Sequence, residues 1–160
     1  MCSTKIIEKI VSGGQTGVDR ASLDIAIKLG IHHGGWCPKG RLSEAGVIPK
    51  IYELQETLSD EYSERTILNI RDSDGTLIIR RDNIAVITDG TILTAKKAIE
   101  TGKPLMIVCL NEANIKTIAK IVQWILDSSI KVLNVAGPRE SQSPGIYNQS
   151  SQFIEQILSS

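Results

Sequence analysis

The sequence predicts an α/β protein with a mostly parallel central sheet. Short β-branched runs alternate with longer segments in which apolar residues recur every three or four positions, as strands alternate with amphipathic helices. Two of the strand-like runs, 105–110 and 131–136, are largely apolar, which is typical of strands buried on both faces of a sheet. Alternation of this kind builds a parallel sheet covered by helices.

The predicted elements follow in chain order. A strand over 5–11 runs into the glycine-rich turn SGGQTG, and a helix over 18–29 follows with Gly30 as its C-terminal cap. The later elements are a helix over 91–101, a strand over 105–110, a helix over 115–126, a strand over 131–136 and a helix over 146–158.

The middle of the chain is less regular. Residues 31–62 carry several Gly and Pro residues with little periodicity, so we expect a long irregular excursion, and loops of that length are usually functional or mobile. Residues 65–79 resume strand character, with an interruption at the turn-prone DSDG of 72–75.

Composition limits the class of protein. The 160 residues are the size of one domain, predicted to span 1–160. Lys plus Arg number 18 and Asp plus Glu number 18, so the zero formal charge disfavours nucleic acid and membrane surfaces as partners. No apolar run is long enough to cross a bilayer and no secretory signal is visible, which predicts a cytoplasmic protein. Three cysteines without a C-x-x-C pair indicate neither a disulfide framework nor a zinc site.

The turn SGGQTGVDR at 12–20 is the first candidate binding site. A glycine-rich turn between a strand and a helix lets backbone N–H groups converge on an anion, and the helix dipole adds positive potential there. The turn matches neither the G-x-G-x-x-G pattern nor the Walker phosphate loop. The alternative is a tight turn in which Asp19 stabilises the helix N-terminus. The candidate binding residues here are Gly13, Gly14, Gln15, Thr16, Gly17, Asp19 and Arg20.

A second candidate is GWCPKGR at 35–41. Lys39 and Arg41 can meet negative charge, Gly40 lies between them, and Trp36 offers a flat ring for stacking. In the alternative interpretation Trp36 anchors the loop to the core while the two cations are solvated. The spacing alone does not decide between these interpretations.

Two Asp-Gly-Thr motifs form the third candidate: DSDGT at 72–76 and DGTILT at 89–94. The second motif opens a predicted helix, whose first amides offer another phosphate cradle. Turn formation and helix capping are the alternative, since Asp, Gly and Thr favour both. The candidate residues are Asp74, Gly75, Thr76, Asp89, Gly90, Thr91 and Thr94.

The fourth candidate is NVAGPRES at 134–141, directly after the last strand. Arg139 and Ser141 can bind oxyanions. The candidate residues are Asn134, Gly137, Arg139, Glu140 and Ser141. All four clusters are predicted to follow strands, and loops that follow parallel strands gather on one edge of a sheet. The sequence therefore predicts one ligand site on the C-terminal edge, with neither a catalytic triad nor a set of metal ligands.

Taken in order, these motifs resemble the molybdenum carrier family, the molybdenum cofactor carrier protein-like proteins. That family is similar to the Rossmann-like nucleotide-binding proteins of the lysine-decarboxylase-like, cytokinin-activating group. The resemblance covers nearly the whole chain and implies a Rossmann-like three-layer sandwich, a homo-oligomer (dimer or tetramer) and a phosphorylated ligand. The ligand named for the family is the molybdenum cofactor. The motifs are SGGQTGVDRASLD, GWCPKGR with EAGVIP, Arg65 with Thr66, DSDGTLI, DGTILT, Lys103 with Pro104, and LNVAGPRES with PGIY.

One departure from the wider group concerns catalysis. Its enzymes carry a Gly-Gly-x-Gly-Thr turn followed by a glutamate that acts in cleaving a nucleoside monophosphate. The corresponding stretch here begins at Asp89, and the following helix turn, with Thr94 and Ala95, contains no acid. A carrier that binds without turnover is therefore favoured over a phosphoribohydrolase.

Three hypotheses remain open. The first is a carrier that holds the phosphate of molybdenum cofactor, or of a nucleotide or another phosphorylated heterocycle, over 13–17. Any metal would arrive on the dithiolene of the pterin, so no metal bound directly by the protein is predicted. The second is a nucleotide N-glycoside hydrolase, or another enzyme of nucleotides or nucleotide sugars, with Asp19, Asp74 or Glu140 as acid or base. The third is a scaffold that binds another protein through 31–62.

Overall fold

The computed structural model describes residues 5–82 and 90–160, so the predicted site residue Asp89 lies outside the described residues. A five-stranded sheet has the strand order β2-β1-β9-β7-β8, and every neighbouring pair is parallel. Its strands are β1 (Lys9–Val11), β2 (His32–Gly34), β7 (Gly75–Arg80), β8 (Leu105–Cys109) and β9 (Val132–Ala136). The predicted α/β class is confirmed.

Helices connect these strands. Gly30 ends α1 in the left-handed conformation at φ 68°, as predicted, and Asn114 begins α4 with a capping box in which its side chain accepts from the amide of Thr117. The helices are α1 (Val18–Leu29), α2 (Tyr62–Arg71), α3 (Gly90–Thr101), α4 (Ile115–Asp127) and α5 (Ile146–Leu158). The predicted bounds of α1 and α5 agree with the structure.

The helices form a layer on each face of the sheet. On one face α1, α4 and α5 share an apolar cluster that includes Leu77 and Ile79 of β7. Ile78, between them, is buried outside that cluster, as expected where side chains alternate between the two faces of a strand. On this second face of the sheet α2 packs against α3, and α3 also contacts β7 and β8. The arrangement is Rossmann-like.

The excursion over 31–62 contains more structure than its sequence predicts. After β2, which joins the main sheet, β3 (Trp36–Cys37) pairs with β6 (Gln55–Glu56), and β4 (Leu42–Ser43) forms an antiparallel hairpin with β5 (Gly46–Val47). A small apolar cluster lies beneath these pairs and consists of Leu23, Cys37, Ile48, Tyr52 and Leu54. The excursion is thereby packed on α1, which contributes Leu23.

Two tyrosines join this excursion to the helical layer. The hydroxyl of Tyr52 donates to one carboxylate oxygen of Asp24 on α1, at 2.5 Å, and Tyr147 of α5 donates to the other. Burial, with the hydrogen bond to Asp24, raises the pKa of Tyr147 to about 12, so its hydroxyl stays a donor at neutral pH.

The predicted strand character over 65–79 is wrong in its first part, where α2 lies. Thr66, Ile67 and Ile70 are β-branched, which favours a strand. In the first turn of the helix, however, Glu64 accepts hydrogen bonds from the amides of Leu58 and Ser59. These bonds hold the preceding loop against that turn, so contacts outside the segment override its propensity.

The position of α2 also corrects the placement of DSDGT. This motif connects α2 to the N-terminal end of β7, so it does not follow a strand. Asp74 accepts hydrogen bonds from the amides of Lys131 and Val132 at 3.0 and 2.8 Å, at the start of β9. The expectation that all four clusters lie at the C-terminal edge is therefore wrong for Asp74 and Gly75.

Within 5–82 and 90–160, no helix is long and apolar enough to span a lipid bilayer.

Candidate functional site

A cleft of about 200 Å³ opens where β1 and β9, neighbours in the sheet, end. Gly13 follows β1 and Gly137 follows β9, so the cleft lies at the edge where parallel α/β sheets bind ligands. The predicted site residues that line it are Gly13, Gln15, Asp19, Thr91, Thr94, Asn134, Gly137 and Arg139. Residues from three of the four predicted clusters are thus brought together.

One face of α2 supplies a wall that the sequence prediction missed. Tyr62, Arg65, Thr66 and Asn69 line the cleft at spacings of three and four residues, the repeat that places side chains on one side of a helix. This polar face could be found from the sequence only after the segment is recognised as a helix. The other lining residues not assigned from the sequence are Leu93, Val135, Ala136 and Gln142.

Two arginines converge on the ring of Tyr62. The guanidinium of Arg65 lies 5.1 Å from the ring centroid and that of Arg139 lies 5.8 Å from it, so the cleft contains a paired positive charge. Nη1 of Arg65 is also 3.3 Å from Oδ2 of Asp19. Within the described part of the chain no ion pair involves Arg139.

Asp19 is the carboxylate of the cleft. It is 5% exposed, and its Oδ2 accepts from the amide of Gln15 at 3.4 Å as well as from Arg65. Burial raises the pKa of Asp19 above its ordinary value, and the charge and hydrogen bond of Arg65 act in the opposite direction. Asp19 thus binds a proton more readily than an exposed aspartate does.

Gln15 has a donor without a partner. Its Oε1 accepts from the amide of Thr16 at 3.0 Å and from the amide of Glu44 at 2.9 Å. These two donors determine which end of the side-chain amide is the oxygen and which is the nitrogen. Its Nε2 is buried, and so is Nε of Arg65; neither has a hydrogen-bond partner among the residues that the structure describes. Buried donors without partners are costly, so two of them lining one cleft favour a ligand that accepts hydrogen bonds.

The glycine-rich turn contributes to the cleft differently from the prediction. The amide of Gly14 donates to Ser12, that of Gln15 to Asp19, and that of Thr16 to the Gln15 side chain. At the start of α1, the amide of Val18 donates to the carbonyl of Pro138. The expected cradle of free amides is therefore wrong for these four groups, which the protein itself satisfies.

The glycines of the turn are needed for close packing. A Cβ on Gly14 would lie 2.5 Å from Cδ1 of Leu54, and one on Gly17 would lie 2.4 Å from the carbonyl oxygen of Pro138. Both glycines have positive φ values, 76° and 78°. Gly13 is different, since its Cβ would meet Nη1 of Arg65 at 1.7 Å. The Arg65 guanidinium lies directly against Gly13 and so needs a residue without a side chain there.

Family membership follows from a comparison with family models. The model described as the circularly permutated YpsA SLOG family matches residues 10–158 of this chain. The chain belongs to this family. The predicted resemblance is confirmed over nearly its whole length.

A solved structure supports the same assignment. The chain is similar to a crystal structure from Syntrophus aciditrophicus SB, with a TM-score of 0.91 and 44% sequence identity. The match covers 97% of this chain and 98% of that one, and that protein is named "Putative molybdenum carrier protein". A comparison with curated proteins gives no match.

Several predicted residues of this YpsA SLOG chain lie outside the lining of the cleft. Arg41 donates to the carbonyl oxygens of Ile48, Pro49, Tyr52 and Leu54, so it holds the excursion together. Among the predicted residues that the structure describes, those that do not line the cleft are Gly14, Thr16, Gly17, Arg20, Lys39, Gly40, Arg41, Asp74, Gly75, Thr76, Glu140 and Ser141.

Arg20 and Glu140, which also lie outside the lining of the cleft, make hydrogen bonds within the protein. Nη2 of Arg20 donates to the carbonyl of Gly14, and its guanidinium lies 5.4 Å from the Tyr52 ring centroid. Glu140 accepts from the amides of Gly145 and Tyr147, at 2.7 and 2.9 Å, where α5 begins. Arg20 thus braces the glycine-rich turn, and Glu140 caps a helix.

Trp36 fits the anchoring interpretation. Its backbone amide donates to Asn69 at 2.7 Å, and its indole Nε1 donates to Asp72 at 2.8 Å. These bonds tie β3 to α2 and to the residue that follows it; Trp36 itself does not line the cleft, although its partner Asn69 does.

The side chains of this YpsA SLOG protein bear on whether it could hold a metal ion directly. Within the described ranges, no group of three or more His, Cys, Asp or Glu residues is placed to hold a metal ion. The polar groups that line the cleft, guanidinium and amide donors above all, fit an anion.

Proposed function

We propose that the cleft binds the phosphate end of a phosphorylated small molecule and that the protein acts as a carrier, holding this ligand without turnover. The observation that supports the proposal is that one cleft is lined by two arginines on a common ring and by Gln15, whose buried Nε2 has no partner among the residues that the structure describes. One planar guanidinium group can donate two parallel hydrogen bonds to phosphate oxygens, and an amide N–H adds a further donor with a fixed direction.

The first turn of α3 adds to this positive environment. Thr91 and Thr94 bring the N-terminal turn of this helix into the lining of the cleft. The N-terminus of a helix carries about half a positive charge, which favours an anion nearby. In this proposal the anion lies between α2, the start of α3 and the loop after β9. Side chains donate the hydrogen bonds to it, because the amides of the glycine-rich turn already donate to groups of the protein.

The ligand class in this proposal is the molybdenum cofactor or a nucleotide. The name of the Syntrophus aciditrophicus protein, 44% identical to this chain, supports the first. The molybdenum cofactor ends in a phosphate, which Arg65, Arg139 and Gln15 are suited to hold. Its dithiolene binds the metal itself, which agrees with a binding site built from cations and amides. The cleft volume of about 200 Å³ is below that of most whole-ligand pockets, so it suits one end of such a molecule.

Calorimetry tests this proposal through Arg139. Released molybdenum cofactor, AMP and inorganic phosphate are titrated into the wild type and Arg139→Gln. We expect the variant to bind at least one of these ligands about 10- to 100-fold more weakly, since a hydrogen bond to a charged group contributes about 1.5 to 3 kcal/mol.

The matched control is Lys39→Gln, which removes an exposed cation outside the cleft. It should bind like the wild type. Equal losses in the two variants would mean that general charge, and not the cleft, governs binding, and absence of binding to any of the three ligands would refute the proposal.

A hydrolase of nucleotides is the second candidate, and Asp19 favours it. A buried carboxyl with a raised pKa beside a cationic cleft is suited to donate or accept a proton. If the protein is this enzyme, incubation with nucleoside monophosphates or ADP-ribose will release free base in many turnovers, and Asp19→Asn will stop the release. Binding without product would instead support the carrier.

A further inference from the structure

The β4–β5 hairpin reaches the glycine-rich turn through one residue, Glu44. Its backbone amide donates to Oε1 of Gln15 at 2.9 Å, and its carboxylate accepts from the hydroxyl of Thr16 in the same turn. Glu44 is itself exposed and does not line the cleft. The hairpin therefore contacts the candidate site from outside.

Glu44 determines how Gln15 faces the cleft. Two backbone amides, those of Thr16 and Glu44, occupy Oε1 of Gln15, so the other end of the side-chain amide must be the donor Nε2. Gln15 is 6% exposed and lines the cleft, and its Nε2 is buried without a partner among the described residues. Without the Glu44 amide, only one of the two bonds that orient Gln15 would remain.

Glu44 also ties down the loop that carries Arg139. Its carboxylate accepts from both the amide and the hydroxyl of Ser141, and the amide of Glu140 donates to Thr16 at 3.1 Å. Burial acts to raise the pKa of Glu44, but the hydrogen bonds from Ser141 and Thr16 outweigh it and lower the pKa, so the carboxylate is charged at neutral pH. Residues 138–141 are thereby held against 15–17.

We propose that Gln15 donates from Nε2 to an oxygen of the ligand's phosphate group and that Glu44 is a positioning residue, which orients Gln15 and places Arg139. This inference rests on the proposed function, since it concerns the same cleft. It specifies the atom through which Gln15 acts and adds Glu44, a residue that acts without touching the ligand.

Gln15→Glu tests the direct contact. Glutamate keeps the shape of glutamine and an oxygen for the amides of Thr16 and Glu44, but it puts an acceptor where Nε2 is a donor. We expect affinity for AMP and inorganic phosphate to fall by more than about tenfold, because a donor is lost and two negative groups meet. Unchanged affinity would overturn the assignment of Gln15.

Glu44→Ala tests the positioning role, with Glu53→Ala as a control that removes another exposed carboxylate of the same excursion. Alanine keeps the backbone amide that donates to Gln15, but it removes the carboxylate that holds this amide and residues 138–141 in place through Thr16 and Ser141. We expect Glu44→Ala to weaken AMP binding about five- to tenfold, because the hairpin no longer fixes Gln15 and Arg139, and Glu53→Ala to leave it unchanged. Glu44→Gln retains an acceptor oxygen and should recover part of the affinity. Equal affinity in Glu44→Ala and wild type overturns the positioning role, and so does tighter binding, which would mean that Glu44 competes with the ligand.

A spectroscopic measurement separates positioning from general loosening of the fold. In the wild type, the ¹⁵N–¹H signals of the Gln15 side-chain amide should shift when inorganic phosphate is added. In Glu44→Ala these signals should shift less, while the backbone spectrum remains that of a folded protein. A full shift in the variant overturns the positioning role. If the wild type binds neither AMP nor phosphate, the proposed function itself fails, whereas wild-type binding with unaffected variants refutes this inference alone.

Discussion

Arg65→Gln is expected to weaken binding of AMP and inorganic phosphate by about 10- to 100-fold. Arg65 lies against Gly13, faces the Tyr62 ring and has a buried Nε without a partner among the described residues. Glutamine removes the charge and the forked donor geometry that suits phosphate. Calorimetry with both ligands measures the loss.

The control for this variant is Arg71→Gln on the same helix. Arg71 is exposed and pairs with Asp72, so its loss should leave ligand affinity unchanged. Loss of Arg65 also removes the main influence that lowers the pKa of Asp19, which therefore rises further. Adding Asp19→Asn removes that carboxyl. If the double variant recovered wild-type affinity, the effect of Arg65 would come from Asp19 and not from contact with the ligand.

Gly17→Ala is expected to lower the free energy of unfolding by about 3 kcal/mol or more. The backbone of Gly17, with φ 78° and ψ −130°, costs a residue with a side chain about 1 to 3 kcal/mol, and overlap with backbone atoms adds to it. The added Cβ would lie 2.4 Å from the carbonyl oxygen of Pro138 and 2.9 Å from the amide nitrogen of Glu140. Neither can move like the end of a flexible side chain.

Gly102→Ala is the matched control, measured beside it by urea denaturation. Gly102 has a similar φ of 71°, but nothing lies within 4 Å of its added Cβ. It should therefore show only the conformational cost, about 1 to 2 kcal/mol. If both variants lost the same free energy of unfolding, the loop after β9 would move away from the added Cβ at little cost, and α1 would not depend on close packing there.

Local signals explain which elements could be predicted from the sequence. The bounds of α1 follow from one apolar stripe and from Gly30, and those of α5 from a similar stripe, all of which are properties of short segments. The excursion could not be predicted in this way, because strands of two residues leave no periodicity. Its order depends on contacts between distant segments, such as Arg41 with the carbonyl of Leu54.

The candidate site was predicted in part. Motifs that follow β1 and β9 indicated Gln15, Asp19 and Arg139, because the carboxyl ends of neighbouring parallel strands meet. Arg65 appeared only within the family resemblance, since a segment interpreted as a strand does not show its polar helix face. The glycines of the turn were misinterpreted for another reason. A sequence does not distinguish a glycine that leaves room for a ligand from one, such as Gly17, that leaves room for the backbone of Pro138.

The bridge from Asp24 to two tyrosines joins three segments of the chain at one carboxylate. Tyr52 of the excursion and Tyr147 of α5 donate to the two oxygens of Asp24 on α1. Loss of this one carboxylate would therefore leave both hydroxyls without their acceptor and loosen the excursion and α5 from α1 together.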